Sequence, residues 1–82
     1  MSAPDPAERL RTLSAGLLSV PAGDLRPDAA LSDDLAVDSL AAIEWGMAIE
    51  DQFGVVLPDD AWQQVRTYGD VQDLLRLLGV RA

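Results

Sequence analysis

The stretch from Asp38 to Gly54, DSLAAIEWGMAIEDQFG, constrains the fold more than any other part of the chain. An Asp-Ser pair, either member of which can cap a helix, precedes a helix-like apolar run, and a glycine follows it. The pattern predicts a helix from about Ser39 to Phe53, stopped by Gly54. Wound at about 100° per residue, its apolar side chains separate onto two sides. Ala42, Trp45, Gly46, Ile49 and Phe53 make a broad stripe free of charge, which must face a core. Leu40, Ile43 and Met47 fall nearly opposite, among Glu44, Glu50 and Asp51. Burying that second side would bury carboxylates with no basic partner nearby, at prohibitive cost. It is therefore expected in solvent. Isolated exposed apolar residues mean little, but an apolar patch rimmed by acids reads as a docking surface.

The rest of the chain supplies what that helix packs against. In DPAERLRTLSAGLL, Asp5 suits the N-cap, Pro6 the first helical position, and Glu8 stands at capping-box spacing. Leu10, Leu13 and Leu17 recur at helical spacing until Pro21 stops the run. Pro21 to Val37 reads as a long loop, broken by Pro21, Gly23 and Pro27 and pinned by Leu25, Leu31 and Leu35. A loop of this length in a small domain points to function or to specific pinning. VVLPDDAWQQV reads as an extended piece too short to found a sheet, then Pro58 and a short helix carrying Trp62. Thr67 opens a last helix with Val71, Leu74, Leu75 and Leu78 on one face, Arg76 near its end and Gly79 beyond. The expected architecture is all-α: a bundle of three main helices and a short one with a long first loop, spanning 1–82 as a single domain.

Composition then excludes whole classes of function. The 82 residues contain neither cysteine nor histidine, so disulfides, thiolate chemistry, Cys/His metal sites and imidazole-based triads are all ruled out. MSAPDPAERL lacks the features of a signal peptide, and no apolar run approaches the roughly 20 residues that span a bilayer. A cytoplasmic, monomeric protein is expected. The net charge of −8 is unevenly spread. From Pro27 to Val65 no residue is basic, while Asp28, Asp33, Asp34, Asp38, Glu44, Glu50, Asp51, Asp59 and Asp60 all lie there. Such a one-sign field repels nucleic acid and anionic lipid and attracts basic protein surfaces. A solvated acidic face would explain the sign of the charge but not its confinement. All six basic residues are arginine, which together with abundant Ala and Leu suggests a GC-rich bacterial genome.

Ser39 admits more than one reading. As a nucleophile it has no base except carboxylates and no glycine-rich elbow, so no catalytic residue is expected. As part of a helix cap, the Asp38-Ser39 pair needs no further explanation. As an attachment point it has a physical logic, because a phosphodiester there would meet the free N–H groups and positive end of the helix, worth about 0.3–1 kcal/mol. It would also stand at the edge of the exposed stripe.

These residues resemble the acyl carrier protein family, which bears 4′-phosphopantetheine on a serine in a Gly-x-Asp-Ser-Leu motif. AVDSL fills the motif with Ala36 in the glycine's place, completed by Asp38, Ser39 and Leu40. DLRPDAALSDDLAVDSL resembles the family's loop into its second helix, IEWGMAIEDQFGVVLP that helix and its exit, and VRTYGDVQDLL the start of its last helix. The resemblance implies that Ser39 receives the arm from a phosphopantetheinyl transferase using coenzyme A, with Asp38 assisting. It further implies that Leu40, Glu44, Met47, Glu50 and Asp51 dock partner enzymes, alongside Ile43 of the same stripe. Those partners would be acyl-transferring, condensing or tailoring enzymes with basic surfaces. The arm's thiol would hold an acyl thioester, so the chain itself would be non-catalytic. The expectation is an acyl carrier of bacterial polyketide or related secondary metabolism; its short tails favour a free-standing protein, although a domain excised from a larger synthase would look similar. A peptidyl or aminoacyl carrier shares fold and arm, although aspartate before the serine favours an acyl carrier. An unmodified acidic helical adaptor is the alternative of another class.

The chain departs from the family pattern at Ala36, at Ala41, where fatty-acid carriers often have an acid, and at the Trp45-Gly46 pair. If the motif glycine needs positive φ, Ala36 implies a strained or reshaped turn. Trp45 and Gly46 read either as compensating core packing or, together with Ile49, as the lining of an acyl pocket.

Overall fold

In the computed structural model, which describes residues 5–82, each long helix begins where a side chain takes up an early N–H group. Asp5 accepts the Glu8 N–H at 2.8 Å and opens α1 (Pro6–Leu18), with Pro6 in the first turn. The helix ends before Pro21, where Ser19 adopts a left-handed conformation at φ 57. A single 3-10 turn, Ala22–Asp24, then interrupts the expected loop. Asp38 caps α2 (Ser39–Phe53), and Gly54 at φ 64 terminates it. Both ends of this helix lie where the sequence predicts them. Pro58 precedes α3 (Asp59–Gln64) without a side-chain cap. Thr67 and Asp70 form a reciprocal capping box at the start of α4 (Tyr68–Leu77). The helical bundle is the expected one.

The apolar stripes converge on one core. Leu10 of α1, Trp45 and Ile49 of α2, and Tyr68, Val71 and Leu75 of α4 are all fully buried in it. At its centre Trp45 stacks on Tyr68, with centroids 6.4 Å apart, and meets Trp62 edge-on at 5.5 Å. The Trp45 indole N–H donates to the buried Ser14 Oγ at 2.9 Å, which satisfies a polar atom that would otherwise be costly there. The Tyr68 hydroxyl, by contrast, has no hydrogen bond of acceptable geometry. Burial raises its pKa, while Arg11 and the nearby Ser14 act in the opposite direction.

The long loop is pinned as expected by Leu25, Leu31 and Leu35, with Ala29 buried among them. Backbone bonds also stitch it to the start of α4. Leu31 N–H donates to the Arg66 carbonyl at 2.9 Å, Tyr68 N–H to Ala29 at 3.0 Å, and Gly69 N–H to Pro27 at 2.9 Å. A side-chain carbon on Gly69 would lie 2.7 Å from the Pro27 oxygen, so this close approach requires glycine. Among the described residues no strand forms, and an isolated antiparallel bridge joins Ala30 to Thr67. The loop thus delivers Asp38 and Ser39 from a fixed base.

Candidate functional site

Ser39 is the first residue of α2, and Asp38 is its cap: the Asp38 Oδ1 accepts the Ala41 N–H at 2.8 Å. The cap therefore falls to the aspartate and leaves the serine hydroxyl out of that role. Ser39 is exposed. The turn that presents it carries Ala36 at φ 55, a conformation that costs a side-chain-bearing residue about 1–2 kcal/mol. Two backbone bonds hold it there, from Leu35 N–H to Ala30 at 3.1 Å and from Val37 N–H to Leu31 at 2.8 Å. The chain keeps the glycine-like backbone without the glycine.

Beside Ser39 lies a cavity of about 630 Å³, walled by Leu31 and Val37 of the loop, Ala42, Ile43 and Trp45 of α2, and Trp62 of α3. Asp38, Asp59 and Gln63 add polar atoms, as does Arg66, the first basic residue after the acidic window. The Arg66 guanidinium folds back onto the carbonyls of Gln63 and Val65 at 2.9 and 3.1 Å.

On the outer side of α2, Leu40, Ile43 and Met47 are 64%, 59% and 64% exposed, and Glu44 and Asp51 stand in solvent beside them. These residues share one face, as the helical wheel requires. Glu50 does not join them freely. It is half-buried, and its Oε2 accepts the Leu57 N–H at 2.7 Å. The chain turns back after Gly54 and brings Leu57 under the end of α2, which a wheel drawn for one helix cannot anticipate.

The candidate acyl pocket is also redistributed. Trp45 reaches the cavity wall, whereas Ile49 is fully buried in the core and Gly46 is not among the residues around that cavity. A side-chain carbon on Gly46 would lie 3.1 Å from the Trp62 Nε1 and 3.2 Å from its Cε2. The vacancy at Gly46 is therefore filled by Trp62, on another helix, and not by space left beside Trp45. The Trp62 N–H donates to the Ala42 carbonyl at 3.2 Å, which fixes the ring in that notch. Sequence reasoning gave Trp62 no role at the site. Its signal was an unexplained glycine on the inward face of α2 and a large ring on the next helix.

Fold and cleft together define a small helical carrier domain. The family described as a phosphopantetheine attachment site matches residues 8–77. An acyl carrier protein of Acidothermus cellulolyticus is 41% identical over 56 residues, covering 68% of this chain and 67% of that protein. The chain belongs to the acyl carrier protein family. The prosthetic group of such a domain is phosphopantetheine, and the start of α2 fits it. An exposed hydroxyl adjoins an open cavity, next to helix N–H groups with no intrahelical acceptor, which suit an anionic phosphodiester.

Proposed function

We propose that Ser39 is the attachment point of 4′-phosphopantetheine and that the chain delivers acyl intermediates to partner enzymes, in bacterial polyketide or related secondary-metabolite biosynthesis. The observation that carries this reading is the position of the exposed Ser39 at the rim shared by the cavity and the Leu40–Ile43–Met47 stripe. Asp38, by taking the Ala41 N–H, fixes the first turn of α2, on which Ser39 is the first residue. The remaining free N–H groups of that turn favour an anionic ester oxygen. When bound, the group supplies a terminal thiol on a long arm for thioester formation. Leu40, Ile43 and Met47 offer apolar contact to a partner, while Glu44 and Asp51 steer its basic surface. Ala41, in place of an acid near the serine, supports a pathway other than housekeeping fatty-acid synthesis. On this reading the molecule works as a cytoplasmic monomer.

The test is intact mass after incubation with a broad-specificity phosphopantetheinyl transferase and coenzyme A. The parent chain gains one phosphopantetheinyl group and Ser39→Ala gains none. Uptake by Ser39→Ala would move the attachment site elsewhere.

A further inference from the structure

Among the described residues around the open depression beside Ser39, Arg66 is the one cation, and Asp38 and Asp59 are the acids. Its place there is fixed through the main chain. Leu31 N–H donates to the Arg66 carbonyl at 2.9 Å, and the Leu31 carbonyl accepts the Val37 N–H at 2.8 Å. One loop residue therefore ties Arg66 to the turn that leads into Ser39, and the bridge between Ala30 and Thr67 reinforces the link. The guanidinium itself is weakly committed. Its Nη1 donates to both the Gln63 and the Val65 carbonyls, while Nε and Nη2 donate to no acceptor among the described residues. Ion pairs there join Arg26 to Asp28 and Arg76 to Asp73, and none includes Arg66. The nearby acids are engaged elsewhere or stand apart. Asp70 Oδ2 accepts the Arg66 and Thr67 main-chain N–H groups, and Asp38 Oδ1 accepts that of Ala41. Asp59 is exposed at the opposite end of α3.

Resting on the carrier reading of Ser39, we propose that Arg66 is the counter-ion of the phosphodiester on Ser39 and sets the direction in which the arm leaves the protein. Loading adds a negative charge beside Asp38 and Asp59. The first N–H groups of α2 meet that charge from one side, and the guanidinium answers it from the other. A planar fork of donors suits two phosphate oxygens at once. The Gln63 and Val65 carbonyls are neutral acceptors, and a hydrogen bond with both partners charged is the stronger. Loading therefore draws the guanidinium away from them toward the ester. The root of the arm is then held on the side of Ser39 where α3 gives way to α4. The exposed stripe of Leu40, Ile43 and Met47 stays uncovered for a partner. Arg66 positions the arm and takes no part in thioester chemistry.

The experiment loads phosphopantetheine from coenzyme A onto the parent, Arg66→Ala and Arg66→Lys, with each product checked by intact mass. The phosphorus resonance of the arm and the Arg66 guanidinium N–H resonances are recorded from about 0.01 M to about 1 M salt, over which the screening length falls from about 30 Å to about 3 Å. A phosphopantetheinylated serine peptide gives the reference for a phosphate without neighbours. In the parent, loading shifts the Arg66 Nε–H resonance. The phosphorus resonance departs from that of the peptide at low salt and returns toward it at high salt. In Arg66→Ala the salt-dependent part shrinks by about threefold or more, and Arg66→Lys keeps much of it because the charge remains. An equal salt response in the parent and Arg66→Ala overturns the proposal. So does an Arg66 resonance that is the same before and after loading of the parent, a result that does not depend on either variant folding. A parent chain that takes up no arm at Ser39 overturns the carrier reading instead, and this inference with it.

Discussion

The Glu50 carboxylate accepts the Leu57 backbone N–H at 2.7 Å and so ties the end of α2 to the segment that leads into α3. The acid is thereby a structural residue of the turn. Glu50→Ala should leave that half-buried N–H without its charged acceptor and cost about 1–2 kcal/mol. A lowered Tm in the unmodified chain is the measurement. A Tm equal to that of the parent would return Glu50 to the free surface.

Glu44 is the contrasting case, since it is exposed on the same helix beside Ile43 and Met47. Glu44→Arg should change stability by no more than about 0.5 kcal/mol. It should slow association with a basic partner enzyme, most strongly at low salt, because steering by exposed charge is screened. Acyl-transfer kinetics across a salt series would show this. Identical rates at low salt would remove Glu44 from the docking face.

Ala36 holds φ 55 in the turn before Ser39. Ala36→Gly relieves the clash of a Cβ in that region but raises the entropy of the unfolded chain, so the net gain should be modest, about 0–1 kcal/mol. Ala36→Val should lose stability markedly, since a β-branched residue tolerates this region poorly. Chemical denaturation of the three proteins gives the order Gly, Ala, Val.

Tyr68 buries a hydroxyl that has no partner of acceptable geometry. An unsatisfied buried group of this kind costs about 1–3 kcal/mol. Tyr68→Phe keeps the ring stacked on Trp45 and should therefore melt at the same temperature as the parent or higher. A clear fall in Tm would mean that the hydroxyl is bonded to Ser14 in solution.

Asp70 has a depressed pKa. The Arg66 N–H, at 2.9 Å, is the main cause, opposed by partial desolvation and reinforced by the Thr67 N–H and hydroxyl and the Arg66 charge. Its folded pKa lies below its unfolded one, so the stabilisation is complete above the ordinary carboxylate range. It is lost as pH falls through the depressed value. Asp70→Asn should lower Tm at neutral pH and flatten the acid limb of the stability curve. Melts from neutral to acid pH would show whether the two proteins converge.

Helix identities and most boundaries were legible before any coordinates, because they depend on neighbours in sequence. Asp5, Asp38 and Thr67 cap within a turn, Gly54 stops α2, and the periodicity of α2 alone separates Trp45 and Ile49 from Leu40, Ile43 and Met47. The early end of α1 at Ser19 was not legible, since left-handed termination there competes with a proline stop two residues later. The loop's leucine pins were visible as apolar residues among polar ones, but the backbone bonds from Leu31, Tyr68 and Gly69 were not.

The sequence by itself determined the helical class, the Asp38-Ser39-Leu40 motif and the exposed acidic stripe, since a helix's period and its end groups are local properties. Tertiary structure alone decided that Glu50 serves the Leu57 turn and that the room at Gly46 belongs to Trp62. Both contacts join α2 to chain that has reversed direction after Gly54. No rule of spacing along one helix specifies what a later segment brings against it, because that depends on how the apolar faces fit when the core closes.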